Sequence, residues 1–179
     1  MGKKIALALV VAIAILVAVI AMQPSSFSIE RSTVIAAPAG IVIGHIQDLR
    51  AMDAWSPWAK MDAQMKIAYD GPEAGVGARS SWEGPEMGKG RMTITAVKPD
   101  QEVEMKLEML APMQATNRIL FMLAPNGADT RVTWRMEGTS NFVGKALGLF
   151  MSMDEMVGVP FENGLAALKT VAESEATRR

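Results

Sequence analysis

The chain contains no cysteine. Disulfides, thiolate nucleophiles and acylation at a lipoprotein cysteine are therefore excluded, and the redox compartment is left open. Histidine occurs once, as His45, and the carboxylates are scattered, so a zinc or non-haem iron sphere lacks ligands. No metal and no cofactor is expected. A nucleophilic triad fails for the same reason, there being no Gly-x-Ser-x-Gly elbow and no second His. Long runs of one charge are also missing, with 18 basic against 19 acidic residues, which excludes a nucleic-acid footprint or a polybasic lipid patch. The glycine-rich stretch from Gly71 to Gly77 lacks the Lys-Ser/Thr ending of a phosphate loop and reads as a hairpin loop.

What is present begins with an apolar run. From Ile5 to Met22 every residue is Ala, Val, Ile, Leu or Met. At about 1.5 Å per residue the run covers roughly 27 Å, close to the ~30 Å hydrocarbon core of a bilayer. Secretory h-regions are shorter, ~7 to 15 residues, so residues 1–22 are expected to be a retained transmembrane anchor; cleavage after Val19-Ile20-Ala21 is the alternative. Lys3 and Lys4 precede the run and only Arg31 follows closely, which puts the N-terminus in the cytoplasm and the domain on the non-cytoplasmic, periplasmic or extracellular, side. The linker 23–26 extends at most ~14 Å, so the domain (27–174) must lie against the membrane.

Alternation and turn residues organise the remainder. A strand is predicted over 27–35, followed by a helix whose Val42, Ile46 and Leu49 form an apolar stripe and whose His45 reads as a partly packed surface residue. Pro57 between Trp55 and Trp58 predicts a helical turn and an irregular corner that leaves one of the two indoles near an opening. Six strands are predicted over 65–69, 78–83, 91–97, 102–110, 115–123 and 130–137, joined by Gly, Pro and Asn turns as an antiparallel meander. Met105, Leu107 and Met109 share one face, and Val132, Trp134 and Met136 another, each opposed by charged neighbours. Their cover is a C-terminal helix from Pro160 carrying Phe161, Leu165, Leu168 and Ala172. Before it, residues 142–153 are apolar around most of a helical circumference, as in a buried or lipid-touching segment. Residues 173–179 read as a frayed tail, with 175–179 outside the domain. The fold class is α+β.

The element order, with the strings WSPW (55–58), SWEG (81–84), GKGRMTI (88–94), VTWRMEG (132–138) and MDEMVG (153–158), resembles the helix-grip superfamily. Within that SRPBCC or START-like group, it looks most like membrane-anchored bacterial members labelled polyketide cyclase/dehydrase-like. The resemblance implies a seven-stranded antiparallel sheet curled around the long C-terminal helix, with a cavity between them that holds lipids, sterols, polyketides or plant hormones in relatives. It also implies a polar group or two deep in that cavity, with Tyr69, Asn117 and Arg118 as the positions to watch. Alternation leaves the facing of Asn117 and Arg118 open, because 119–123 is apolar without a break. Fold alone chooses no function.

Candidate ligand-lining residues are Trp55, Trp58, Tyr69, Trp82, Met105, Met109, Asn117, Trp134, Phe150, Met153, Phe161 and Leu165. Methionine occurs 15 times, and its flexible thioether suits a surface that accommodates varied apolar guests as well as plain core packing. Asp154 and Glu155, flanked by Met153 and Met156, are the acid/base candidates with Tyr69, since apolar surroundings raise a carboxyl pKa. The opposing reading has both carboxylates flanking a helix break and facing water. Three functions follow: a membrane-tethered module binding a lipid or other apolar small molecule, a cyclase or hydrolase using a cavity acid or phenol, and an envelope protein-interaction module docking through 142–153, its partner unknown.

Overall fold

The computed structural model describes residues 2–149, 152 and 154–179. An apolar helix, α1 (Gly2–Met22), leads into strand β1 (Ser26–Ile35). Helices α2 (Ala39–Gln47) and α3 (Leu49–Asp53) and a tight turn at Trp58–Lys60 follow. Then come β2 (Lys66–Asp70), β3 (Arg79–Gly84), β4 (Gly88–Lys98), β5 (Glu102–Ala111), β6 (Ala115–Asn126) and β7 (Asp129–Thr139). The chain closes with α4 (Phe142–Leu147), a wide helical turn at Asp154–Gly158 and α5 (Val159–Arg178).

The seven strands form one antiparallel sheet in the order β1-β7-β6-β5-β4-β3-β2. This is the α+β helix-grip architecture that the resemblance implies. The tight β4–β5 and β6–β7 connections rest on left-handed backbone at Asp100 (φ 58°) and Gly127 (φ 69°), a conformation that Asp tolerates and glycine adopts freely. Asp48 ends α2 and caps α3, its carboxylate accepting from the Arg50 and Ala51 amides at 2.8 and 3.2 Å.

The sheet has two unlike ends. The start of β1, at the exit of α1, lies with the β3–β4 and β5–β6 turns, and this end is called proximal. The β2–β3, β4–β5 and β6–β7 turns form the distal end. Helix α5 runs along β1 away from the proximal end: Arg31 Nε donates to Glu162 at 2.6 Å, Lys169 Nζ to the Val34 carbonyl at 2.8 Å, and the Ala36 amide to Glu173 at 2.8 Å. Its Phe161, Leu165, Leu168 and Ala172 are buried as the periodicity predicts, beside Val42 and Ile46 of α2.

One expectation is corrected and another narrowed. Helix α5 continues to Arg178 instead of fraying from residue 173, because Glu175 lies 2.8 Å from His45 and 2.6 Å from Arg179 while Glu173 holds the edge of β1. His45 is thereby partly packed, as expected. Of the apolar segment after β7, Phe142–Leu147 forms a short helix with Phe142, Val143 and Leu147 exposed, so of the two expected settings, buried or lipid-touching, the buried one does not hold for it. Helix α1 is long and apolar enough to cross a membrane and is exposed except at Ile20.

Candidate functional site

Register assigns every inward side chain. Ile94, Met105, Ile119, Met136 and Ile29 stand in one line across five strands, and Val103, Phe121, Trp134 and Arg31 in the next line toward the distal end. All but Arg31 are buried. Trp134 stacks on Phe161 of α5 at 4.1 Å between centroids and 11° between planes. Trp55 and Trp58 meet it edge-on at 5.6 and 5.4 Å, and Phe121 lies tilted at 4.7 Å. Such pairings exploit the aromatic quadrupole as well as apolar area. Helix and sheet close tightly here, since a Cβ on Gly164 would stand 2.7 Å from the Trp134 ring. Directly beneath α5, then, the expected sheet–helix cavity is a packed core.

Nearer the proximal end the same face is only partly covered by the described residues. Tyr69, Ser80, Met92, Leu107, Asn117, Gly138 and Phe27 form one row across all seven strands, and Ile67, Trp82, Gly90, Met109 and Ala115 form the next. Every one of them except Gly90 is only half-buried. The cause is the placement of α5, which is anchored from Arg31 toward Ala36 and so leaves these two rows behind. Trp82 lies on Gly90, where any Cβ would collide with its indole, and the Asn117 amide and Phe27 ring lie over Gly138 in the same way. Glycine in these strands therefore makes room for large neighbours. The Trp82 Nε1 donor is buried without a partner among the described residues. An unpaired buried N–H favours an incoming acceptor. Asn117 and Ser80 give this apolar surface two half-buried polar side chains.

The sequence-predicted residues divide between the two regions. Trp55, Met105, Trp134, Phe161 and Leu165 belong to the packed core, and Trp58, Tyr69, Trp82, Met109 and Asn117 are half-buried. Of the two tryptophans around Pro57, Trp58 is the partly exposed one; Trp55 is buried and donates its Nε1–H to the His45 carbonyl at 3.0 Å. Phe150 and Met153 lie outside the described residues. Asn117 faces inward opposite Leu107, and Arg118 faces outward between Glu104 and Glu137.

The acid/base candidates are rearranged. Asp154 is exposed and sits 2.8 Å from Arg31, whose hydrogen bond holds its carboxyl below the usual range against a smaller opposing effect of burial. That reverses the expectation of a raised pKa there. Glu155 is exposed as well. Tyr69 instead donates its phenolic hydrogen to Asp53, and the Arg50 guanidinium lies 4.1 Å over its ring. Burial pushes the Asp53 carboxyl up, Arg50 opposes this, and Asp48 adds to it. Beside them opens a polar cavity of about 320 Å³, lined by Leu49, Arg50, Tyr69, Glu73 and Arg79 among others. Sequence reading missed Asp53, which meets Tyr69 only through the packing of α3 on β2. It also missed Asp62, a buried carboxylate that accepts from the Gln64, Glu86 and Met87 amides at 3.0 to 3.1 Å and pins the Trp58 corner to the β3–β4 turn. Burial raises its pKa, but those backbone donors outweigh it and the net shift is downward.

The outer face is wet and charged. Arg91 clasps Glu108 through two hydrogen bonds of 2.7 and 3.1 Å, and with Lys106 brings that carboxyl down to about 2. A shallow groove of about 450 Å³ crosses this face between Glu104, Arg118 and Glu137. Among the described residues, no cluster of His, Asp or Glu is arranged to hold a metal ion.

Comparison with known proteins accords with this architecture. Comparison with curated proteins gives no match. Protein CV1439 from Chromobacterium violaceum is similar at 16% identity, with a TM-score of 0.60 over 84% of this chain and 99% of that one. Ara h 8.0201 is similar at 11% identity and TM-score 0.59, over 83% and 99% of the two chains. DynU16, from the dynemicin biosynthetic locus, matches at 11% identity and TM-score 0.57, over 83% of this chain and 48% of its own. At such identities these likenesses speak for the fold alone. The family model described as polyketide cyclase / dehydrase and lipid transport matches residues 26–173, from the first residue of β1 well into α5, and the chain belongs to that family.

Proposed function

We propose that this chain is a membrane-tethered binding module, held by Ile5 to Met22 with its domain on the non-cytoplasmic side. In this reading the open half of the concave face holds a lipid or other apolar small molecule. The observation that carries it is the contrast along one sheet face. Under α5 the apolar rows are closed by aromatic rings, whereas Phe27, Trp82, Met92, Leu107 and Met109 remain half-buried. Apolar surface left in a concavity with a few polar points is the usual form of a small-molecule site. The Asn117 amide and Ser80 hydroxyl favour a guest with one acceptor group, such as a carbonyl or carboxyl, on a long apolar body. Mass spectrometry of the full chain, purified in mild detergent and extracted with organic solvent, tests this. Recovery of such a molecule is expected, and its loss in Trp82→Ala; a chain that comes out empty and also refuses fatty acids, quinones and sterols ends the reading.

A second reading, catalysis, has one observation in its favour. The Tyr69 phenol hydrogen-bonds a carboxyl whose pKa is raised, beside a cavity, which suits proton transfer on an aromatic or polyketide-like substrate. Turnover in a substrate screen that survives both Tyr69→Phe and Asp53→Asn would remove it.

A further inference from the structure

The proximal end of the sheet carries exposed apolar side chains from three separate connections. Met61 precedes β2 and is 52% exposed; Leu110 and Met113 flank the β5–β6 turn at 40% and 51%; Phe142, Val143 and Leu147 on α4 stand at 50%, 53% and 43%. The distal turns present Glu73, Asp100, Gln101 and Asn126 instead, with Val76 their one exposed large apolar residue among the described residues. Sequence separation rules out a single local cause, since the three groups meet only because the topology brings their connections to one end.

That end is also where α1 leaves the domain. Helix α1 stops at Met22, the Ser140 amide donates to the Ser25 carbonyl at 2.6 Å, and Lys145 of α4 lies 3.5 Å from the Ala21 carbonyl. The α4 helix is therefore held against the last turn of the apolar helix. Charge at this end is sparse and mostly basic: Glu83 pairs with Lys89 at 3.2 Å, and Lys60, Lys66 and Glu86 lie near Lys145. Lysine stems in such a position lie along apolar surface while their heads reach water or phosphate.

We infer that this apolar rim is immersed in the interfacial layer of the bilayer that α1 crosses, so that the open half of the concave face opens onto the lipid leaflet. The inference rests on the tether reading above and adds a docking surface to it. A bilayer around α1 reaches the rim before any diffusing partner does, because the linker of 23–25 cannot lift the domain more than ~11 Å. Exposed apolar side chains on short segments beside a polar body are what interfacial segments use, their affinity scaling with buried apolar area.

The cysteine-free sequence allows a direct test in the full chain. Single substitutions Phe142→Cys, Met113→Cys and, as controls, Asn126→Cys at the distal end and Ala12→Cys within α1 are labelled with nitrobenzofurazan. The labelled chains are then reconstituted in phosphatidylcholine vesicles carrying an acyl-chain nitroxide. Loss of emission at 142, 113 and 12 but not at 126 is the expected result. Quenching at 12 alone, with 142 and 113 as water-exposed as 126, overturns the rim while leaving the tether standing. Labels at 142 and 113 that are shielded from water yet unquenched by lipid mean a protein partner or second copy, and also overturn it. No quenching at 12 removes tether and rim together.

Discussion

Trp134 and Trp82 face the same side of the same sheet, yet the first meets four aromatic rings and the second lies on a bare glycine with its ring half-exposed. Strand register treats them alike. The difference comes from α5, which starts level with Arg31 and runs distally, so one half of the concavity becomes core and the other remains surface. A helix-grip sheet is thus divided by where its helix begins.

The largest expected effect sharpens that division. Phe161→Ala removes the ring stacked on Trp134 and should cost about 3 to 5 kcal/mol in denaturant titration, the usual range for a buried aromatic. Trp82→Ala should cost under about 2 kcal/mol, nearer the centre of ordinary point mutants. Equal losses would mean that both halves are packed alike. Next come the glycines. An added Cβ at Gly164 meets Trp134 and Pro57 with no space behind them, so Gly164→Ala is expected toward the upper end of the ~1 to 3 kcal/mol typical of overpacking. At Gly90 the displaced Trp82 indole can swing toward the less covered half, but the Glu108 backbone carbonyl also stands only 2.9 Å from an added Cβ, so Gly90→Ala should likewise cost toward the upper end of that ~1 to 3 kcal/mol range. A midpoint shift for Gly90→Ala far below that for Gly164→Ala would mean that the Glu108 strand gives way along with the indole.

Acid titration contrasts two carboxylates. The folded pKa of Asp62 is depressed, so its contribution is fully present above the ordinary carboxylate value near 4 and is lost as pH falls through the lower folded value. Asp62→Asn should flatten the loss of stability measured between neutral and strongly acidic pH. Asp53 has the opposite sign: its folded pKa is raised, the folded state binds more protons in that window, and stability falls as pH rises through it. Asp53→Asn should therefore remove a penalty at neutral pH and so steepen the acid loss, and a variant that flattens it instead would contradict the assignment. The smallest effect belongs to the outer face. Arg118→Met breaks half-exposed pairs with Glu104 and Glu137 and should change stability by only about 0.2 to 1 kcal/mol, less at high salt. A larger change would show that the outer groove matters more than its exposure suggests.

Much of this was legible from residue order. Alternation and turn residues locate all seven strands to within about three residues, because one face is wet and the other dry over most of the sheet. The method stalls at Ile119 to Leu123, where Leu120 on the outer face is itself buried, opposite Glu104 and Arg135, and so hides the period. Register, once known, resolves Asn117 and Arg118 at once. The candidate site was less legible. Partners such as Arg31 with Asp154, or Tyr69 with Asp53, are separated by 123 and 16 residues and exist only through packing. The polar C-terminus misleads for the same reason, since Glu173 and Glu175 point at specific backbone and imidazole partners that composition cannot reveal.

An open sheet leaves two border strands, and the way β1 is finished has a consequence for self-association. The long helix lays Lys169 on the Val34 carbonyl and Glu173 on the Ala36 amide, so main-chain groups that could template another strand already have side-chain partners. At the far border, β2 spans only Lys66–Asp70 and carries a charge at each tip. Neighbouring copies thus meet borders that discourage cross-strand zippering.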